Sequence, residues 1–86
     1  MEFRFTVGGL PKRITTDAVY RKLRNFQPGP VRTHGVKIRG VTYPVKEALA
    51  EVTGLDPLDF NTYQARSVFK GLGFQVVRLP KRARRH

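Results

Sequence analysis

The sequence predicts a small α+β fold, on three observations. Both ends of the chain alternate apolar and polar residues as strands do, and three interior stretches repeat apolar residues every three to four positions as helices do. The third is length: 86 residues leave room for one domain. A chain this short buries only roughly 60–65% of its unfolded surface, so the core is small. With 40% hydrophobic and 10% aromatic residues, the composition supports a folded core rather than a disordered polycation.

The first strand is Glu2 to Val7, with Phe3, Phe5 and Val7 on one face and Arg4 and Thr6 on the other. Gly8-Gly9 breaks it. Thr15 or Thr16 is placed to N-cap a helix with Asp17 in its first turn, where a carboxylate favours the dipole. Val19, Leu23 and Phe26 form the apolar stripe of that helix, and Gln27-Pro28-Gly29-Pro30 closes the unit. Thr33 to Tyr43 reads as a hairpin about Arg39-Gly40. Pro44 suits a helix's first turn, and Val45, Ala48, Leu49 and Val52 follow as one face before Gly54 ends the helix. A third helix starts near Asn61 or Thr62 and buries Ala65, Val68, Phe69 and Leu72, with Gly71 or Gly73 as its left-handed end. Phe74 to Leu79 is the closing strand. The expected order is β-α-β-β-α-α-β, with residues 1–79 as the domain and 80–86 as a basic tail. Alternation in both terminal strands suits their pairing with each other.

Charge narrows the function. Seventeen Lys and Arg stand against six Asp and Glu, a formal charge of +11 and a pI near 11.2. Without Lys81, Arg82, Arg84 and Arg85, thirteen cations still face six carboxylates, so the domain itself is basic. Such a domain repels itself, and its natural partner is a polyanion, nucleic acid above all. The chain has no cysteine, which excludes disulfides and cysteine-based zinc sites. No apolar run approaches the roughly 18 residues of a membrane span, and Met1-Glu2-Phe3-Arg4 does not open a signal peptide. A cytoplasmic protein acting at the nucleoid, with no membrane partner, is the expectation.

No catalytic constellation is expected. His34 and His86 lack a His or Cys at metal-ligand spacing, and Asp56 and Asp59 flank Pro57 at a helix entrance. The glycines match no phosphate loop. Neither enzyme activity, metal nor cofactor is implied.

The positive signals are basic and polar residues set among aromatics. Lys37 and Arg39 alternate with Val36 and Ile38, which gives either a basic ribbon face for a phosphate backbone or a plain solvated strand. In Tyr43-Pro44-Val45-Lys46, the lysine falls in a helix's first turn, where a cation opposes the dipole. A bound phosphate shared by the ammonium and the free N–H groups would account for it; the alternative is a lysine extended into water. Tyr43 reads as a contact residue or as a core aromatic with a wet hydroxyl. The third helix opens with Asn61, Thr62, Tyr63 and Gln64 and continues with Arg66 and Lys70 at i, i+4. Those side chains bond base edges and phosphates, so the element is either a recognition helix or an ordinary capped amphipathic one. Lys81, Arg82, Arg84 and Arg85 suit a phosphate-binding arm.

The stretch Gly35-Val36-Lys37-Ile38-Arg39-Gly40-Val41-Thr42-Tyr43-Pro44-Val45-Lys46, the Ala50–Gly54 helix end, Phe60, and Leu72-Gly73-Phe74-Gln75-Val76-Val77 resemble a known family. It is the N-terminal DNA-binding domain of McrA-type modification-dependent HNH endonucleases. The resemblance covers about half of the chain. It implies duplex DNA binding at Tyr43, Lys46 and the start of the third helix. The HNH nuclease part has no counterpart in these residues, so cleavage is not implied, and Asn61-Thr62-Tyr63 replaces the glycine-rich entry to the last helix. The leading expectation is a non-enzymatic bacterial DNA-binding protein, nucleoid-associated or regulatory in transcription, with a homodimer compatible with so small a module. An RNA-binding or ribosome-associated protein is the alternative, and a module docking an acidic protein is the third reading.

Overall fold

The computed structural model describes residues 1–79. The tail cations Lys81, Arg82, Arg84 and Arg85 lie outside the described residues. The fold is a small α+β domain of two antiparallel sheets and three helices. Among the described residues no helix is long and apolar enough to cross a membrane.

Strand β1 (Glu2–Val7) does not end at the glycines but turns through them into β2 (Leu10–Thr15), an element the sequence reading omits. Gly8 and Gly9 take φ of 58° and 79°, the two positive values that a two-residue turn needs to match strand twist. Val7 and Leu10 flank this turn as a hydrogen-bonded pair, so the next pair, Thr6 and Pro11, is a non-bonded one. The N–H that Pro11 lacks would have pointed away from β1, which is why proline is tolerated there.

Helix α1 (Thr16–Leu23) begins on Thr15, whose Oγ accepts the Ala18 N–H at 3.1 Å. It buries Val19 and Leu23, but stops before Phe26, which packs from the following loop. Strands β3 (His34–Ile38) and β4 (Val41–Pro44) form the expected hairpin about Arg39-Gly40. Helix α2 (Val45–Thr53) follows Pro44 directly, buries Val45, Ala48, Leu49 and Val52, and closes on left-handed Gly54. A 3-10 turn at Pro57–Asp59 leads to α3 (Thr62–Gly71), which buries Ala65, Val68 and Phe69 and is followed by left-handed Gly73.

Strand β5 (Gln75–Arg78) pairs with β3, giving the sheet order β4-β3-β5. The terminal strands therefore do not pair with each other; β1 and β5 lie in different sheets. Helix α3 sits between them. The Phe3 ring rests so closely on Gly71 that a β-carbon there would overlap it, and on the other side Phe69 and Phe74 meet edge to face with centroids 6.1 Å apart. The helix thus fills the space that strand pairing would have required. At the end of β5 the Leu79 N–H donates to the Thr33 carbonyl at 2.6 Å, fixing where the chain leaves the sheet.

Candidate nucleic-acid interface

Register decides which side chains share a surface. On β3, Val36 and Ile38 turn toward the helices and are buried, while Lys37 stands on the opposite sheet face between Thr42 and Gln75. Arg39 does not join it. It sits in the hairpin turn at φ 53° with its guanidinium 4.3 Å from the Tyr20 ring centre, on the α1 side. The two residues read as one basic face point to different sides of the sheet.

Tyr43 belongs to the core. It lies opposite Val36 on the helix-facing side and is only 6% exposed. Its ring stacks on Phe26, and its hydroxyl donates to the Leu23 carbonyl at 3.4 Å, a second donor there beside the Phe26 N–H at 3.2 Å. Little of its surface remains for a ligand.

Asn61 and Gln64 are occupied by the start of α3. Asn61 Oδ1 accepts the Gln64 N–H at 2.8 Å, Gln64 Oε1 accepts the Asn61 N–H at 3.0 Å, and the Gln64 amide nitrogen donates to the Thr6 carbonyl at 3.3 Å. This reciprocal cap is worth about 1 kcal/mol and ties α3 to β1. Both heavy polar atoms of Gln64 are thus engaged within the fold.

Lys46, Thr62, Tyr63 and Arg66 do come together. Lys46 and Thr62 line one shallow groove of about 360 Å³ with Arg32 and His34. Lys46 rises from the first turn of α2, its ammonium 5.6 Å from the Phe60 ring centre. Pro44, at the cap position, offers no side-chain hydrogen bond, so the N–H groups of that turn, which borders the groove, have no side-chain cap. One turn along α3, the Arg66 guanidinium donates to His34 Nδ1 at 3.0 Å and to the Val77 carbonyl at 3.4 Å. Tyr63 is 72% exposed, with its ring centre 6.1 Å from that of His34. Lys70, exposed in the last turn of α3, lies four residues beyond Arg66.

Three residues of this surface escape the sequence reading. Arg32 follows a Pro-Gly-Pro loop, and Arg78 reaches the site only because it stands opposite His34 across the β3–β5 ladder. His34, read as an ordinary exposed histidine, is half-buried between Arg66 and Arg78.

The ion pairs of the described residues lie elsewhere. Arg4 and Arg13 share Glu2, and Arg21 pairs with Asp17 at 2.9 Å. Among the described residues, Arg32, Lys46, Arg66, Lys70 and Arg78 make no salt bridge. Among the described residues, cations from the loop, α2, α3 and β5 thus share one side without a salt-bridge partner, and the nearby Glu47 carboxylate, beside Lys46 in the first turn of α2, accepts the Gly29 N–H at 3.3 Å instead. Such a surface attracts a polyanion at distances up to a Debye length, about 8–10 Å in physiological salt. Among the described residues no group of His, Asp and Glu is arranged to hold a metal ion.

The model of one protein family, described as SCO5918-like, matches residues 3–86, almost the whole chain. The chain belongs to the SCO5918-like family. No curated protein and no solved structure matches it.

In this SCO5918-like protein the imidazole of His34 is held below its ordinary pKa, first by burial and then by the Arg66 and Arg78 charges. The Arg66 donor fixes the neutral ring as the tautomer that accepts at Nδ1. The unfolded imidazole takes up its proton near about pH 6.5, before the folded one does. Folding stability therefore falls as the pH drops through that value, and His34 stops contributing to the fall below its own folded pKa. A phosphate seated among Arg32, Lys46 and Arg78 would weaken the local positive field and raise the His34 pKa. Following the His34 ring protons by NMR, we expect a midpoint below that of a model imidazole for the free protein and an upward shift on adding duplex DNA. An unshifted midpoint with DNA bound would place the phosphates elsewhere.

Proposed function

We propose that this protein is a non-enzymatic DNA-binding protein that holds a duplex phosphate backbone across the Arg32–Lys46–Arg66–Arg78 surface. The carrying observation is the convergence of cations from four separate elements on one side without a carboxylate partner. The overall charge of +11 supports it, as does the resemblance of residues 35–77 to the McrA-type DNA-binding domain. Lys46 and the uncapped first turn of α2 suit one phosphate together, as ammonium and backbone donors. Thr62 adds a hydroxyl, and Lys70 and the tail cations Lys81, Arg82, Arg84 and Arg85 extend the contact along the backbone. Lys37 and Arg39, on other sides of the sheet, are left for a wrapped duplex or for solvent. These contacts position a duplex without selecting its sequence, which suits a nucleoid-associated or regulatory role in the cytoplasm.

Fluorescence anisotropy of labelled 20-base-pair duplexes over a salt series tests this reading, with a matched RNA duplex and hairpin alongside. We expect DNA to bind more tightly than RNA, with log K falling against log salt at a slope of about −4 or steeper, one phosphate for each of the four cations. Tighter binding to the RNA hairpin would favour the RNA reading. Failure of both ligands, with a single acidic protein recovered in a pull-down, would favour a protein partner.

A further inference from the structure

Tyr63 is the one feature of this surface that phosphate binding does not use. A phenol ring 72% exposed on the first turn of α3 is ill-suited to a backbone contact alone, since its hydroxyl could bond a phosphate but its two faces could not. Its surroundings treat it as a partition. On one side is the basic groove of Arg32, His34 and Lys46, with the His34 ring tilted at 59° to Tyr63 and held in place by Arg66. On the other is a second groove of about 370 Å³ between β1 and α3, floored by Phe3, Phe5 and Val68. The first groove is cationic; the second has an apolar floor with Arg4, Asn61 and Ser67 among its polar lining, and Tyr63 lines it with its ring centre 6.1 Å from that of His34 in the first.

That pairing matches a nucleotide, whose phosphate is anionic and whose base is a flat apolar-faced ring with polar edges. Polar atoms stand at the rim of the apolar groove as a base edge requires. Asn61 uses only its Oδ1 in the cap, which leaves its amide nitrogen to donate, and Ser67 presents a hydroxyl. A base inside an intact duplex has both faces covered by its neighbours and cannot reach the Tyr63 ring. We propose that Tyr63 is the stacking platform for one unpaired nucleobase, with the β1–α3 groove as its pocket and the adjoining cations holding its phosphate. The inference rests on the reading that this face binds DNA, and adds that the ligand carries a nucleotide outside the stack, at an overhang, gap or flipped position. Stacking of this kind is tolerant of base identity because every base has a π face.

The chain has no tryptophan, so Tyr63→Trp introduces a single indole reporter at the proposed platform. The experiment compares a blunt 20-base-pair duplex with the same duplex bearing a four-nucleotide thymine overhang. We expect the overhang to quench the indole fluorescence of the Tyr63→Trp variant substantially and the blunt duplex to leave it nearly unchanged. Tyr63→Ala should weaken binding of the overhang duplex roughly tenfold, within the range found for loss of one base stack, and leave the blunt duplex's affinity and salt slope as they were. Tyr63→Phe, which keeps both ring faces, should restore overhang binding. Equal quenching by both duplexes, or an equal loss of affinity for both in Tyr63→Ala, would overturn the stacking role while leaving the phosphate surface intact. If the unaltered protein binds neither duplex, the DNA-binding reading fails first and this inference with it.

Discussion

Replacing Arg32, Lys46 and Arg78 together by glutamine is expected to lower duplex-DNA affinity on the order of a hundredfold and to make the salt slope shallower by about 3. Each of these cations would make a charge-assisted contact with a phosphate, and removing one such contact costs about 1.5–3 kcal/mol before solvent screening reduces it. The loss should be the same for every duplex sequence, because phosphates carry no sequence. Folding should survive the change. Arg32 and Arg78 are exposed, none of the three forms a salt bridge among the described residues, and Lys46 gives up only its position over Phe60. Arg21→Gln is the control, since it removes one charge already paired to Asp17 and outside the lining of the groove. Its effect should stay within about twofold at physiological ionic strength. A loss of log affinity in the control reaching about one third of that in the triple variant, in proportion to the charge removed, would mean that net charge, rather than this surface, drives binding.

Phe69→Ala is expected to be the most damaging single substitution to the fold. Phe69 is fully buried and is the largest side chain among those the core encloses completely. Removing its ring deletes a large apolar surface, leaves a cavity between α3 and β5, and breaks the edge-to-face contact with Phe74. Such truncations cost about 3–5 kcal/mol. A domain of this size has only about 4–13 kcal/mol of stability in total. Urea unfolding followed by circular dichroism should therefore show either a large fall in the midpoint or a chain already partly unfolded in buffer. A loss below about 1 kcal/mol would contradict the packing described for α3.

Local signals in the sequence locate most of the elements. The proline before α2, the glycine after it, and the i, i+3, i+4 apolar positions of α2 and α3 act within a few residues of each other, and the structure keeps them. Strand β2 is illegible because Pro11 interrupts it and Lys12-Arg13 blurs its alternation, even though Gly8-Gly9 is itself a hairpin signal. The partner of β5 is illegible for a different reason. Whether it joins β1 or β3 depends on where α3 packs, and α3 is placed by contacts such as Phe3 on Gly71 that join residues far apart in sequence.

The same division holds for the site. Lys46, Thr62, Tyr63 and Arg66 are identifiable from helix-start chemistry, and the structure gathers them. Arg78 is not, since only cross-strand register brings it beside His34. Asn61 and Gln64 carry a second role. Their three-residue spacing is that of a reciprocal cap, and the backbone donors they satisfy take the Asn61 Oδ1 and Gln64 Oε1 before any base contact is made.

The bond from the Leu79 N–H to the Thr33 carbonyl has a kinetic and statistical consequence. Thr33 lines the basic groove, so the chain is anchored at the rim of the surface where phosphates are proposed to sit. Arg85 is six residues from that anchor, and six residues reach at most about 20 Å. Were a DNA backbone held at that rim, Lys81, Arg82, Arg84 and Arg85 would meet the neighbouring phosphates as parts of a molecule already bound. Their effective concentration would then be set by the length of the connecting chain, on the order of millimolar, rather than by how much protein is present. Each tail contact that breaks would then re-form more often than it is followed by escape, so the tail's main contribution would be a longer residence time on DNA.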